Sequence, residues 1–134
     1  MKRYGLSAPE RIKGRKDFER IFVEGKTIYS AESKIRVNYV KAIASEKNKI
    51  NVFFAVAVAK KLGGAAWRNK IKRLIREAYR LNKLELIEEC TKKNVLLEII
   101  FSPQNINQTK NNYLGFDHIA PSIKELIAKL KEKI

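Results

Sequence analysis

The side chains in this sequence best suited to chemistry are cations gathered on one segment. Lys60, Lys61, Arg68, Lys70, Lys72, Arg73, Arg76, Arg80 and Lys83 stand within residues 60–83, with Glu77 as the sole acid among them. At about 100° per residue, Asn69, Arg73, Arg76 and Arg80 fall within an arc of roughly 60°, opposite an apolar stripe of Trp67, Ile71, Leu74 and Ile75. The spacing predicts a helix with one face on a core and a row of guanidinium groups on the other. A solvated helix face ordinarily mixes signs, with Glu and Lys four residues apart supporting each other. Here like charges repel, and the arrangement becomes favourable only against a polyanion. An arginine fork can bond two phosphate oxygens at once and can stack on a base. The chemistry these residues point to is nucleic-acid binding.

The rest of the inventory argues against catalysis by the chain itself. Hydrolysis of a phosphodiester needs a charge-stabilising metal and an activated water, which protein nucleases organise with clustered carboxylates. Asp17 and Asp117 are the only aspartates, and the nearest acidic run, Glu88-Glu89, reads as a surface turn. Cys90 and His118 are each single, so an internal disulfide or a Cys/His zinc cluster is arithmetically impossible. Cys90 reads as a structural or surface thiol, and His118, beside Asp117 at a helix start, as structural too. We expect no catalytic residue and no metal site.

Composition agrees with a binding role. Among 134 residues, 29 lysines and arginines face 14 acids, a formal charge of +15. Such a field speeds encounter with nucleic acid or an anionic membrane, at some cost in self-repulsion. Membrane is the weaker reading, because no window approaches the roughly 18 apolar residues of a spanning helix and the N-terminus lacks a signal-peptide core. Apolar residues form 45% of the chain, which argues against wholesale disorder. One domain over 1–134, soluble and cytoplasmic, is the expectation.

Positioning the cations requires an ordered framework, and the hydropathy pattern supplies one. Residues 1–10 read as an irregular basic arm. Phe18, Ile21 and Phe22 set a first helix over 16–24, stopped by Gly25. A brief strand at 26–30 precedes a clearer one, where Ile35, Val37 and Tyr39 alternate with Arg36, Asn38 and Val40. Residues 45–49 turn the chain, and 52–58, apolar throughout, read as an interior strand covered on both faces. After Gly63-Gly64 the period becomes 3.6, with Ala78 joining the stripe and Tyr79 at its edge. Residues 84–90 either extend this helix or form a separate turn, and Lys92-Lys93-Asn94 ends the segment. A strand over 95–101 is interrupted by Glu98. Residues 102–115 form an Asn-rich loop, and Ile123, Leu126, Ile127, Leu130 and Ile134 mark a last amphipathic helix with Pro121 in its first turn. The order α-β-β-β-α-β-α predicts an α+β two-layer sandwich.

The string Lys60-Lys61-Leu62-Gly63, a short spacer, then Arg68-Asn69-Lys70, Lys72-Arg73 and Arg76-Glu77 resembles the signature of the bacterial ribonuclease P protein family. Upstream, Arg11-Ile12-Lys13, Asp17-Phe18, Ile21-Phe22 and Gly25 are similar to that family's N-terminal helix motif. The likeness covers roughly residues 11–101. Lys70 departs from the arginine usual there, which keeps the charge but removes a bidentate fork. The Asn-rich loop is longer than the family pattern, and the last helix matches only as an amphipathic segment.

The resemblance implies a ribosomal-protein-like fold with a left-handed βαβ crossover through the basic helix, where general rules would favour the right-handed form. It implies a noncatalytic protein subunit that binds ribonuclease P RNA, one protein per RNA, and assists Mg²⁺-dependent removal of the 5′ leader from precursor tRNA. The RNA would hold the Mg²⁺, and neither DNA nor membrane is an implied partner. Lys60, Lys61, Arg68, Asn69, Lys70, Lys72, Arg73, Arg76 and Arg80 would contact the catalytic RNA. A second surface for the single-stranded leader would use Phe18, Phe22 and Tyr39, with Lys13, Arg15 and Arg36 nearby. Aromatic platforms in a basic groove suit single strands. However, Phe18 and Phe22 lie four residues apart, as two core side chains on a helix would. A ribosomal protein explains the charge without calling for an aromatic cleft. A stand-alone metal-dependent nuclease is disfavoured by the scarcity of carboxylates.

Overall fold

The computed structural model of the chain describes residues 10–12, 14–44 and 50–134, without the side chain of Glu32. The expected arm up to residue 9, the turn at 45–49 and Lys13 lie outside the described residues. The order is α1 (Arg15–Glu24), β1 (Lys26–Tyr29), β2 (Ile35–Ile43), β3 (Val52–Val56), α2 (Ala65–Lys93), β4 (Val95–Pro103) and α3 (Phe116–Lys133). This is the α+β arrangement read from the pattern. Residues 84–90 continue α2, which ends at Asn94 in the left-handed region (φ 56°) with its N–H turned back to the carbonyls of Cys90 and Thr91.

The four strands form one mixed sheet in the order β1-β2-β4-β3. β1 and β2 pair antiparallel, as do β2 and β4, whereas β3 and β4 run parallel, so α2 is the crossover between them. The interior strands are therefore β2 and β4, and β3, read from its apolar run as interior, lies at the end of the sheet. Its burial has another source. Both faces are covered, and its outer edge meets residues 11–12, where Arg11 bridges Phe54 in parallel and the Ile12 N–H donates to the Phe54 carbonyl (2.9 Å). At Phe54 that edge is not free to pair with another chain.

Strand alternation sends side chains to two unequal cores. Ile35, Val37, Tyr39, Val52, Phe54, Val56, Leu97, Ile99 and Phe101 face α2 and α3 and form the main core with Trp67, Ile71, Ile75, Tyr79 and the inner stripe of α3. Tyr79 stacks on Phe54 with ring centroids 4.4 Å apart. On the opposite face, Ala55 and Ile100 make a smaller cluster with Ile12 and Ile21, against which Phe18, Val40, Phe53 and Ala57 pack. The sheet with α2 and α3 forms the two principal layers, and the short α1 crosses the remaining face. Glu98, an interruption in the strand pattern, points to that face and accepts a 2.6 Å hydrogen bond from Arg20 on α1.

Pro121 departs from the reading of the sequence, whereas Cys90 is the structural thiol among the alternatives left open there. Pro121 sits in the second turn of α3, because the helix begins five residues earlier at Phe116. Its missing N–H removes one bond near the helix end, where such a loss is smallest. Cys90 is fully buried, and burial pushes its thiol up to about 11, so it is an inert core residue.

Lys83 is the charge most deeply placed, 3% exposed on α2, with its ammonium 2.8 Å from the Glu10 carboxylate. The pair ties the edge segment before α1 to the crossover helix. Removing one member takes a close counter-charge from a largely buried partner, at a cost of up to about 3–5 kcal/mol. Lys83→Ala should lower unfolding stability by that order in urea titration. A loss under about 1 kcal/mol, the range of exposed pairs, would show the contact to be incidental.

Candidate nucleic-acid interface

The cationic helix is aimed by its N-terminal approach. Lys60–Leu62 forms a single 3₁₀ turn, and Gly63 and Gly64 lead into α2. A Cβ on Gly63 would come within 2.7 Å of the Trp67 ring and 2.9 Å of the Gln108 Cβ, so only glycine lets the loop pass. Gln108 clasps this turn from across the molecule. Its Oε1 accepts the Gly64 N–H (2.8 Å), and its own N–H donates to the Leu62 carbonyl (2.8 Å). The Trp67 indole donates to the Asn111 carbonyl (2.9 Å). The loop's asparagines bond within it: Asn107 Oδ1 accepts the Lys110 N–H (2.9 Å) and Asn111 Oδ1 the Asn107 N–H (3.2 Å). The Asn-rich stretch is thus a self-bonded clamp on the start of α2.

Beyond the clamp, the predicted comb points outward. Lys60, Lys61, Asn69 and Arg73 are exposed, while Arg68, Lys70, Lys72, Arg76 and Arg80 are half-buried. Arg68 also donates from Nε to the Gly63 carbonyl (3.0 Å), fixing its side chain against the turn. Among the described residues, Lys60, Lys61, Lys70, Lys72, Arg73 and Arg76 form no ion pair. Their charge is left to the solvent side, next to the positive end of the helix dipole.

Arg80 is paired within the helix. Its Nε and Nη2 both bond the Glu77 carboxylate, one turn back, and this bonding holds the Glu77 carboxyl below its usual range. Its guanidinium is thus already bonded to a neighbour on the same helix. The helix is also polarised along its length. Its acids other than Glu77 are Glu85, Glu88 and Glu89, all in the C-terminal half. The candidate interface is the N-terminal half.

The second predicted surface lies on the opposite face of the sheet and is only partly as expected. Phe18 and Phe22 sit on α1 with ring centroids 6.5 Å apart. Phe18 packs against the small cluster, and Phe22 is 38% exposed. Arg15 is open to solvent and pairs with Glu19 at 3.3 Å. Arg36 is held flat on the sheet by Asn38 Oδ1 (3.4 Å) and Gln104 Oε1 (2.6 Å).

Tyr39 is a correction. It is 6% exposed and belongs to the main core, because odd-numbered β2 residues face α2 and α3 whereas Arg36, Asn38 and Val40 face α1. It cannot share a platform with Phe22. On the face of the sheet shared with Arg36, β1 presents Tyr29, opposite Arg36 in the β1 and β2 register and 46% exposed. Asn38, bonded to Thr27 Oγ1 (2.9 Å), and Ser102, opposite Arg36 on β4, complete a polar row there. The parity of β2 was readable in the sequence; the pairing that brings Tyr29 beside Arg36 was not. Lys13 lies outside the described residues.

His118 has a local structural role. Its Nδ1 accepts the Gly115 N–H (2.9 Å), closing the first turn of α3. Among the described residues, no three of His, Cys, Asp and Glu converge to hold a metal. No described helix is long and apolar enough to cross a membrane.

These features define a class: a basic α+β protein in which a cationic crossover helix and a short aromatic helix present separate surfaces on opposite faces of one mixed sheet. The family model Ribonuclease P matches residues 6–130, and the chain belongs to the ribonuclease P protein family. The ribonuclease P protein component of Dictyoglomus turgidum is 41% identical over 130 residues, spanning 97% of this chain and 92% of that protein. Its counterpart from Dictyoglomus thermophilum is 33% identical over the same shares. Among solved structures, the ribonuclease P protein from Thermotoga maritima superposes with a TM-score of 0.68 at 26% identity, covering 90% of this chain and 96% of that one. The Staphylococcus aureus protein gives 0.64 at 26% identity, covering 90% and 94%.

Gln108→Ala removes the side-chain acceptor at Gly64 and loosens the approach to α2. With hydrogen bonds worth about 0.5–1.5 kcal/mol, the melting temperature should fall by a few degrees and RNA affinity measured by fluorescence anisotropy by up to about tenfold. Unchanged affinity would make the loop a spacer and not a clamp.

Proposed function

We propose that this chain is the protein subunit of ribonuclease P, which binds the catalytic RNA through α2 and the 5′ leader of precursor tRNA through the α1 face, and so assists maturation of tRNA 5′ ends. The observation that carries the reading is the unneutralised cationic half of α2 in a chain of this family. Lys60, Lys61, Arg68, Asn69, Lys70, Lys72, Arg73 and Arg76 form the RNA-docking surface. Phe22, Tyr29, Arg15 and Arg36 lie along the leader, with Phe18 supporting Phe22 from beneath.

In this reading the protein contributes binding and the RNA contributes the chemistry. Mg²⁺ would polarise the scissile phosphate and generate the attacking hydroxide. The described acids do not fit a resident Mg²⁺ site, because no three of them converge and several are committed to cations: Asp17 and Glu98 to Arg20, Glu77 to Arg80, Glu10 to Lys83, Glu125 to Lys129. The ions would therefore be held mainly by the RNA. The chain's cations lower the repulsion between substrate and ribozyme phosphates, which reduces the Mg²⁺ needed for docking. One protein per RNA, acting in the cytoplasm, completes the proposal.

Adding this protein to a bacterial ribonuclease P RNA should raise cleavage of leader-bearing precursor tRNA at low Mg²⁺. No stimulation across a Mg²⁺ titration would reject the reading, and specific cleavage by the protein alone would overturn its noncatalytic role. The two surfaces also separate by mutation. Arg73→Ala should weaken assembly with the catalytic RNA whatever the substrate and reduce the salt slope of binding by about 1. Phe22→Ala should weaken leader-bearing substrate by the roughly 1–3 kcal/mol of one stacked base and leave leaderless tRNA unaffected. Equal effects on both substrates would refute the division.

A further inference from the structure

Beside the comb, between α2 and the beginning of α3, the surface opens into a crease of about 790 Å³. Its floor and far wall are apolar: Leu74, Leu81 and Phe116, of which Leu81 is 45% and Phe116 36% exposed. Its near rim is cationic, formed by Lys70, Arg73 and Arg76. Glu77 also lines it, but its charge is countered by Arg80. Measured around α2 at about 100° per residue, this face lies between the comb and the stripe buried on the sheet.

Large apolar side chains left open beside unpaired cations mark a surface built for something with an apolar face and a negative edge. A nucleotide has both. A second copy of this chain does not, since each copy carries +15 and would bring like charge to the rim. Paired bases hide their faces in the stack, so the occupant must be unpaired.

The ring is also held rigidly enough to serve as a platform. Phe116 opens α3 directly after Gly115, whose N–H is capped by His118, and the preceding loop is clamped to α2 through Gln108 and Asn111. A base laid on such a support loses little to reorganisation of the protein.

We propose that this crease receives one unstacked nucleobase of the catalytic RNA, stacked on Phe116 and flanked by Leu74 and Leu81, while Lys70 and Arg73 hold its adjoining phosphates. The inference rests on the reading that α2 docks that RNA. It adds an aromatic contact on α3, outside the sequence signature, to an interface otherwise made of cations.

The test compares Phe116→Leu, which keeps apolar bulk without a ring, with Phe116→Trp and Arg73→Ala, each binding a bacterial ribonuclease P RNA at fixed salt. Phe116→Leu should bind about five- to a hundredfold more weakly, the range for one stacked base, and Phe116→Trp should recover most of that loss. Chemical probing should show one unpaired nucleotide protected in the native complex and reactive with Phe116→Leu, with backbone protections elsewhere retained. Melting curves check that each variant folds. Native-like affinity of Phe116→Leu with weakened Arg73→Ala would overturn the crease while leaving the docking surface intact. Native-like binding of both would overturn the docking surface as well. Self-association of the protein that Phe116→Leu abolishes, without change in RNA affinity, would assign the crease to a second copy and also reject the proposal.

Discussion

The arrangement of this protein depends on the burial of one stripe of α2. Trp67, Ile71, Ile75, Ala78 and Tyr79 are each at most 5% exposed, packed on the sheet and on α3. The large side chains among them gain about 1.5–3 kcal/mol apiece from full burial, more than exposed like charges cost each other in water. The helix is consequently held in one rotation about its axis, and its other face has to carry the cations outward. Repulsion along the comb is the residue of that constraint, and a phosphate backbone is the complement that relieves it.

The sheet separates this surface from the aromatic one. Side chains alternate across a strand, so a residue serves one face or the other and never both. α1 reaches the sheet with a small apolar cluster and one ion pair, Arg20 with Glu98, whose 2.6 Å bond fills what otherwise looks like a flaw in an apolar strand. Gly25 allows the end of α1 to approach β2 closely, since a Cβ there would collide with the carbonyls of Ile21 and Tyr39. Neither surface needs the other's side chains.

The Asn-rich loop links the fold to the site. Composition marks it only as irregular, yet its amides close on one another, and Gln108 reaches the turn that launches α2. The same loop carries the chain to Phe116, so the clamp holds the N-terminal ends of α2 and α3 together. Lys83 and Glu10 act similarly at the other side of the core, fastening the segment that covers the edge of β3.

Element order, the amphipathic rotation of α2, its cationic face and the membership suggested by its signature were legible in the sequence, because periodicity and charge are local properties of a chain. Strand order was not. The apolar run of β3 records burial on both faces, but burial can come from a covered edge as readily as from a central position, and only the long-range pairing with residues 11–12 distinguishes them. For the same reason Tyr39 lies in the main core while Tyr29 is exposed beside Arg36, Arg80 is held by Glu77, and Phe116 lies beside the comb. Which side chains meet across elements far apart in sequence is decided by packing, and packing exists only once the chain has closed on itself.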